Sequence, residues 1–201
     1  MKVLGLTGSI AMGKSTITQM FADKGIPTTN ADAIVHALLA TDKKTIEEVR
    51  KHFPNAFENG SIHRKLLGAE VFGNVDAMKT LEQILHPRVR AAEMAFVLRE
   101  QKNGAWLVVL DIPLLYETGA DARVDKVLVV TAAAEEQQCR ALARPDMTPE
   151  KLEHILARQM PDAEKRKRAD FVVETDKGLD HSRLQVQHVL EQLKQETMPH
   201  A

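Results

Sequence analysis

The chain of 201 residues contains one cysteine, Cys139, so no disulfide can form within it. That usage fits a reducing cytosol, and Cys139 itself reads as a small, semi-buried hydrophobe. Excess charge is missing as well. Twenty-seven Lys and Arg face 28 Asp and Glu, a formal net charge of −1. Such balance excludes bulk attraction to nucleic acid or to an anionic membrane and leaves only local patches. The one basic run, Lys165-Arg166-Lys167-Arg168, has no interleaved aromatic residues. It reads as a solvated face or an anion-attracting lid. Long apolar runs are absent too: Ala105–Leu110 and Val127–Val130 are strand-sized and too short to cross a bilayer. The N-terminus enters a strand without the apolar stretch of a signal peptide. The eight histidines show no metal-ligand spacing. The expectation is a cytoplasmic α/β chain with no nucleic-acid or membrane partner, its oligomeric state left open.

Against that plain background one segment is specific. Gly8-Ser9-Ile10-Ala11-Met12-Gly13-Lys14-Ser15 follows the apolar run Val3–Thr7 and precedes a helical pattern. This is the G-x-x-x-x-G-K-[ST] phosphate loop in its required strand–loop–helix setting. Its glycines let successive N–H groups turn inward on phosphate oxygens, and the following helix adds its positive end. Lys14 supplies a charge for the β- and γ-phosphates, and Ser15 a hydroxyl for Mg²⁺. Gly8 through Thr16 are therefore the candidate ATP-binding residues.

Strand-like runs alternate with helical patterns along the rest of the chain. Lys2–Thr7 leads to a helix near Gly13–Lys24, then a short strand at Ile26–Thr29. Trp106–Asp111, Val124–Thr131 and Phe171–Val173 are Val- and Leu-rich with little alternation, as in parallel strands covered on both faces. A last amphipathic helix near Ser182–Gln195 carries Leu184, Val186, Val189, Leu190 and Leu193. The sum is a three-layer α/β fold with a mostly parallel five-stranded sheet. Its core covers about 1–30, 104–132 and 170–201. A helical insertion occupies about 31–103, with turns at Phe53-Pro54 and Asn59-Gly60. A second, about 133–169, carries two proline breaks. That plan resembles the small P-loop kinases, whose first insertion holds the acceptor and whose second forms a lid over ATP.

Several residues outside the loop have two readings. Asp32 follows the second strand at the carboxyl edge, where it suits either a proton-accepting carboxylate or the first turn of a helix. Asp111 ends the third strand and is either a Mg²⁺-holding acid acting through water or a loop cap. Arg140 and Arg144 share a helix face, suited to phosphates or to a salt bridge with Glu136. Pro87 disfavours helical geometry at His86, which predicts a break or kink there. Glu117 is an acid that orients the acceptor or neutralises an arginine, or else a surface loop acid.

Together these segments resemble the dephospho-coenzyme A kinase family over nearly the whole chain. The resemblance rests on Gly5–Ile10 with Lys14-Ser15-Thr16, Ala31-Asp32, and Arg64–Phe72. It continues through Leu85-His86-Pro87, Pro113-Leu114-Leu115-Tyr116-Glu117, Gln138–Arg144 and Ala169-Asp170-Phe171-Val172-Val173. It implies transfer of the ATP γ-phosphoryl group to the ribose 3′-hydroxyl of dephospho-coenzyme A, with Mg²⁺. It implies that Asp32, Lys14 and Arg140 are catalytic, and that Asp32, Arg64, His86 and Glu117 bind the acceptor. Ala11 stands where the family usually has glycine, so it is expected at ordinary φ or slightly strained. Asn30 replaces the first acid of the usual Asp-Ala-Asp, and Glu174–Gly178 departs from the usual adenine-side pattern. A regulatory GTPase is disfavoured, since no Asn-Lys-x-Asp motif is present.

Overall fold

The computed structural model describes residues 1–58 and 60–197. The chain runs β1 (Lys2–Thr7), α1 (Lys14–Asp23), β2 (Thr28–Asn30), α2 (Ala31–Thr41), α3 (Lys43–His52), β3 (Phe57–Glu58), β4 (Ser61–Ile62) and α4 (Arg64–Val71). It continues through α5 (Val75–Lys102), β5 (Leu107–Asp111), β6 (Lys126–Thr131), α6 (Ala134–Leu142), α7 (Pro149–Ala157), α8 (Asp162–Arg168), β7 (Phe171–Glu174) and α9 (Leu179–Thr197). Two compact units result, one of residues 1–29 and 97–201 and one of residues 30–96.

The first unit is built on a five-stranded sheet ordered β2-β5-β1-β6-β7. β1 pairs in parallel with both β5 and β6, and β6 with β7. Every residue of β5 is buried, which explains its unbroken apolar run: the strand has no solvent face to alternate toward. On one face Leu4, Leu6, Val109, Leu128 and Val130 meet Ile17 and Phe21 of α1 and Val186, Val189 and Leu193 of α9. The apolar positions of α9 recur at helical spacing, but Leu184 lies off that face and is 68% exposed. At the sheet's far side Asp170 accepts from the Val127 N–H at 2.8 Å and from Lys126 at 3.2 Å. This gives the Ala-Asp-Phe-Val segment a structural role: it pins the entry to β7 against β6.

The second unit closes around Leu39, Val49, Phe53, Leu67, Leu81, Ile84 and Leu85. It is not wholly helical. Phe57–Glu58 and Ser61–Ile62 form a small antiparallel ladder; Gly60 supplies a φ of +81° there, and Asn59 lies outside the described residues. The chain does not break at Pro87, as α5 runs from Val75 to Lys102. Pro87 removes only its own N–H bond, to the Gln83 carbonyl, at a cost of about 3 kcal/mol. The buried stripe Leu81, Ile84, Leu85 and Val89 outweighs that. Arg88 adds a guanidinium bond to the Ile84 carbonyl one turn back.

Asn30 caps α2, its side chain accepting from the Ala33 N–H at 2.9 Å. Asn and Asp cap about equally well, so the local fold tolerates this departure. Asp42 caps α3 likewise, accepting from the Thr45 N–H at 2.8 Å. Hydrogen bonds from the Thr45 hydroxyl and N–H hold its carboxyl below 3.8. A depressed carboxyl stabilises the fold above its ordinary value and loses that contribution as pH falls through the folded value. Asp42→Ala is therefore expected to lower the urea midpoint at pH 7. The two proteins should converge as the pH drops below 3.8, and a pH-independent gap would contradict the cap assignment.

Candidate active site

The phosphate loop leaves the carboxyl end of β1, the central strand. Ile112 N–H donates to the Leu6 carbonyl at 2.9 Å and the Thr7 hydroxyl to the Pro113 carbonyl at 3.1 Å, so the chain after β5 holds the strand's exit. A Cβ on Gly8 would lie 2.4 Å from the Val130 carbonyl oxygen, closer than real Cβ contacts come. Gly13 takes φ +91° as the N-cap of α1, with the Thr175 side chain 3.2 Å from where its Cβ would be. No acidic residue sits in the first turn of this ten-residue helix, so α1 carries no carboxylate of its own at its positive end. Lys14 folds back over the loop, its Nζ 2.9 Å from the Gly8 carbonyl.

Met12 N–H donates to the Ser9 carbonyl at 3.3 Å, which makes Ser9–Met12 a tight turn. Ala11 is its third residue and takes φ +62°, the strained alternative of the two expected for it. Positive φ at that position alone is the pattern of a type II turn, which favours glycine. Ala11 is nevertheless buried, its methyl packed with Ala141 and Leu152 of the second insertion.

That insertion grips the loop at several points. Gln137 on α6 donates to the Ile10 carbonyl at 2.9 Å, and Gln159, just after α7, accepts from the Ile10 N–H at 3.0 Å. Arg140 donates to Glu136 at 2.7 Å and to both the hydroxyl and the carbonyl of Thr175, at 2.8 and 2.9 Å. The Thr175 hydroxyl in turn donates to the Met12 carbonyl at 2.8 Å. The salt bridge to Glu136 is therefore present, and the same guanidinium also bonds to Thr175 beside the loop. A cavity of about 350 Å³ is lined by Ala11 to Thr16 together with Arg140, Arg144, Thr175, Leu179 and Ser182. Arg144 reaches this cavity from beyond the end of α6, and Arg158 caps α7. Cys139 is exposed, because Gln137 and Ala141 bury the opposite face of α6.

Asp111 closes β5 with only 1% exposure, in register with Leu6 and with the Thr18 hydroxyl 3.3 Å from its Oδ2. Ser15 and Thr16 are exposed at the start of α1. The hydroxyl of Ser15 and the carboxylate of Asp111 are hard oxygen donors, a set that fits Mg²⁺. Among the described residues no group of three or more His, Cys, Asp or Glu could hold a metal.

Glu117 is not a surface loop acid. Its Oε1 pairs with Lys165 at 2.9 Å and accepts from the Met160 N–H at 2.7 Å, while its Oε2 is buried without a hydrogen bond. Lys165 is fully buried, so the basic run does not form one solvated face. Arg168 lies 4.3 Å over the Tyr116 ring and pairs with Asp121, and Lys167 pairs with Glu164. Burial of Tyr116 raises its phenol above 10.0, with Arg168 opposing.

Three expected acceptor-side residues belong to the second unit. Asp32 is exposed in the first turn of α2. Arg64 opens α4 and approaches the ring of His36 on α2 at 3.2 Å. His86 is half-buried within α5.

The family model described as dephospho-CoA kinase matches residues 2–181. The chain belongs to the dephospho-CoA kinase family. Similar members include the dephospho-CoA kinase of Rhodopseudomonas palustris, 52% identical over 191 residues that cover 95% of each chain. That of Mesorhizobium japonicum is 50% identical, covering 96% of this chain and 98% of its own. Among solved structures, a dephospho-CoA kinase from Campylobacter jejuni superposes with a TM-score of 0.72 at 30% identity, covering 98% of both chains. A Thermus thermophilus protein superposes at 0.83 with 34% identity, covering 96% of this chain and 97% of that one. A shikimate kinase from Acinetobacter baumannii, at 0.52 and 17% identity over 98% and 94%, shares the fold alone.

The bonds of Gln137, Gln159 and Thr175 to the loop, and the burial of Lys165, were not legible in the sequence. Gln137 lies three positions before Arg140, so helical spacing could have placed it on the same face. Gln159 carries no such signal. Ala11 offers a test of the loop's geometry. Replacing it by glycine relieves about 1–2 kcal/mol of left-handed strain, offset by about 0.4–1 kcal/mol of unfolded-state freedom and about 0.8 kcal/mol of methyl burial. Ala11→Gly should thus change the unfolding free energy by less than about 1 kcal/mol. Ala11→Val, β-branched at positive φ, should lose about 1–3 kcal/mol in urea titration. Equal stability of the valine variant would contradict the positive φ.

Proposed function

We propose that the chain phosphorylates the ribose 3′-hydroxyl of dephospho-coenzyme A with ATP, giving coenzyme A, the last step of coenzyme A biosynthesis. The observation that supports this most is the strand–loop–helix from Thr7 to Lys14, whose Gly13 cap and helix start open on the cavity beside Arg140. The N–H groups at the start of α1, with Lys14, bind the triphosphate tail. Arg140 is poised beside the cavity, held by Thr175 and Glu136, and balances charge on the transferring group. Ser15 and Asp111 would hold Mg²⁺, which when bound neutralises charge on the β- and γ-phosphates.

The acceptor's 3′-hydroxyl oxygen forms a bond to the γ-phosphorus as the bond to the ADP oxygen breaks. Asp32 accepts or orients the hydroxyl proton. Arg64 and His86 contribute to acceptor binding. No helix among the described residues is long and apolar enough to cross a membrane, and the reading places the reaction in the cytoplasm.

ADP release measured with dephospho-coenzyme A against a set of nucleosides, nucleotides and sugars tests the assignment. Turnover should require dephospho-coenzyme A. Asp32→Asn should lower kcat by about 10²–10⁴-fold with ATP affinity retained. A different preferred acceptor would contradict the substrate, and unchanged turnover in Asp32→Asn would remove that residue from the chemistry.

A further inference from the structure

The Ile10–Ala11 peptide is the central peptide of the Ser9–Met12 turn, and the turn's type depends on which way that peptide faces. Rotating it by about 180° converts type II to type I and returns Ala11 from φ +62° to a negative φ that alanine prefers. The rotation also exchanges the Ala11 N–H for the Ile10 carbonyl on the same side of the loop, since the two point in opposite directions across one planar unit. Ala11 lines the cavity. A phosphate site needs the donor there and is repelled by the acceptor.

A glycine at this position takes positive φ without strain, so nothing would drive the rotation. This chain has alanine, so something else must hold the peptide. Gln137 does so from α6: it is 8% exposed and donates from Nε2 to the Ile10 carbonyl at 2.9 Å. Gln159 holds the preceding peptide through the Ile10 N–H. Gln159 is itself set by the Met160 N–H bond to Glu117, whose carboxylate is pinned by buried Lys165. Rotation would break the Gln137 bond and leave a buried amide without its partner.

We infer that Gln137 is a positioning residue that locks the Ile10–Ala11 peptide in its anion-binding orientation, a role that rests on the ATP-kinase reading of this loop. The lock matters because position 11 carries alanine, so its effect is coupled to that residue.

The test is a double-mutant cycle on the full chain with Gln137→Leu and Ala11→Gly. ATP affinity is read by calorimetry, and the Ala11 amide signal by NMR without nucleotide. Gln137→Leu alone should weaken ATP binding about three- to ten-fold and shift or split the Ala11 amide signal. In the Ala11→Gly background the same change should cost less than about two-fold, because glycine at positive φ carries no strain to drive the rotation. Equal losses in both backgrounds would show a general packing role and overturn the lock, as would an unmoved amide signal. If the parent chain fails to bind ATP while the amide signals behave as described, the kinase reading fails and the lock stands.

Discussion

Peptide orientation in a short loop is the constraint on which the site depends. A cradle for phosphate works only while its N–H groups converge and its carbonyls face away, and backbone sterics alone do not guarantee that. Here the outward-facing carbonyls have specified partners. Ile10 gives its carbonyl to Gln137, Met12 gives its carbonyl to Thr175, and Lys14 covers that of Gly8. Gln137 comes from the second insertion and Thr175 from β7's exit, so the loop's shape is largely a tertiary property and not a local one. With the carbonyls engaged elsewhere, the inward surface is left to donors and to the start of α1.

The same bonds tie residues of the second insertion to the loop. Arg140 reaches the loop through Thr175, and the α7–α8 corner is fixed by Glu117 and Lys165, with Gln159 adjoining it. A buried Lys–Glu pair costs desolvation and contributes little net stability by itself. Its value here is geometric: it holds the Met160 N–H and thereby the direction of the chain at Gln159. That is a different use of Glu117 from the acceptor contact implied by family resemblance.

What could be read from residues alone follows how local each signal is. The loop, β1, β5, β6 and α9 were legible because their apolar spacing and glycine positions are short-range patterns tied to burial on both sheet faces. Pro87 misled, since its local penalty is outweighed by a stripe of contacts along a 28-residue helix. Lys165 misled in the same way: four basic residues in a row look solvated until a distant carboxylate claims one. Ala11 was legible as a departure, but the side chain that compensates for it sits 126 positions further on, and no periodicity links the two. Asp32, Arg64 and His86 were nameable from motif order; the places of Asp32 on α2 and Arg64 on α4 follow from the helical pattern, whereas His86 was expected at a break or kink.

The most direct measurement is a crystal structure of the chain with Mg²⁺ and a non-hydrolysable ATP analogue. The account predicts triphosphate oxygens within hydrogen-bond distance of the backbone N–H groups from Gly13 to Ser15 and of Lys14 Nζ, with the Ile10 carbonyl still facing Gln137. A nucleotide bound elsewhere, with this loop unengaged, would contradict it.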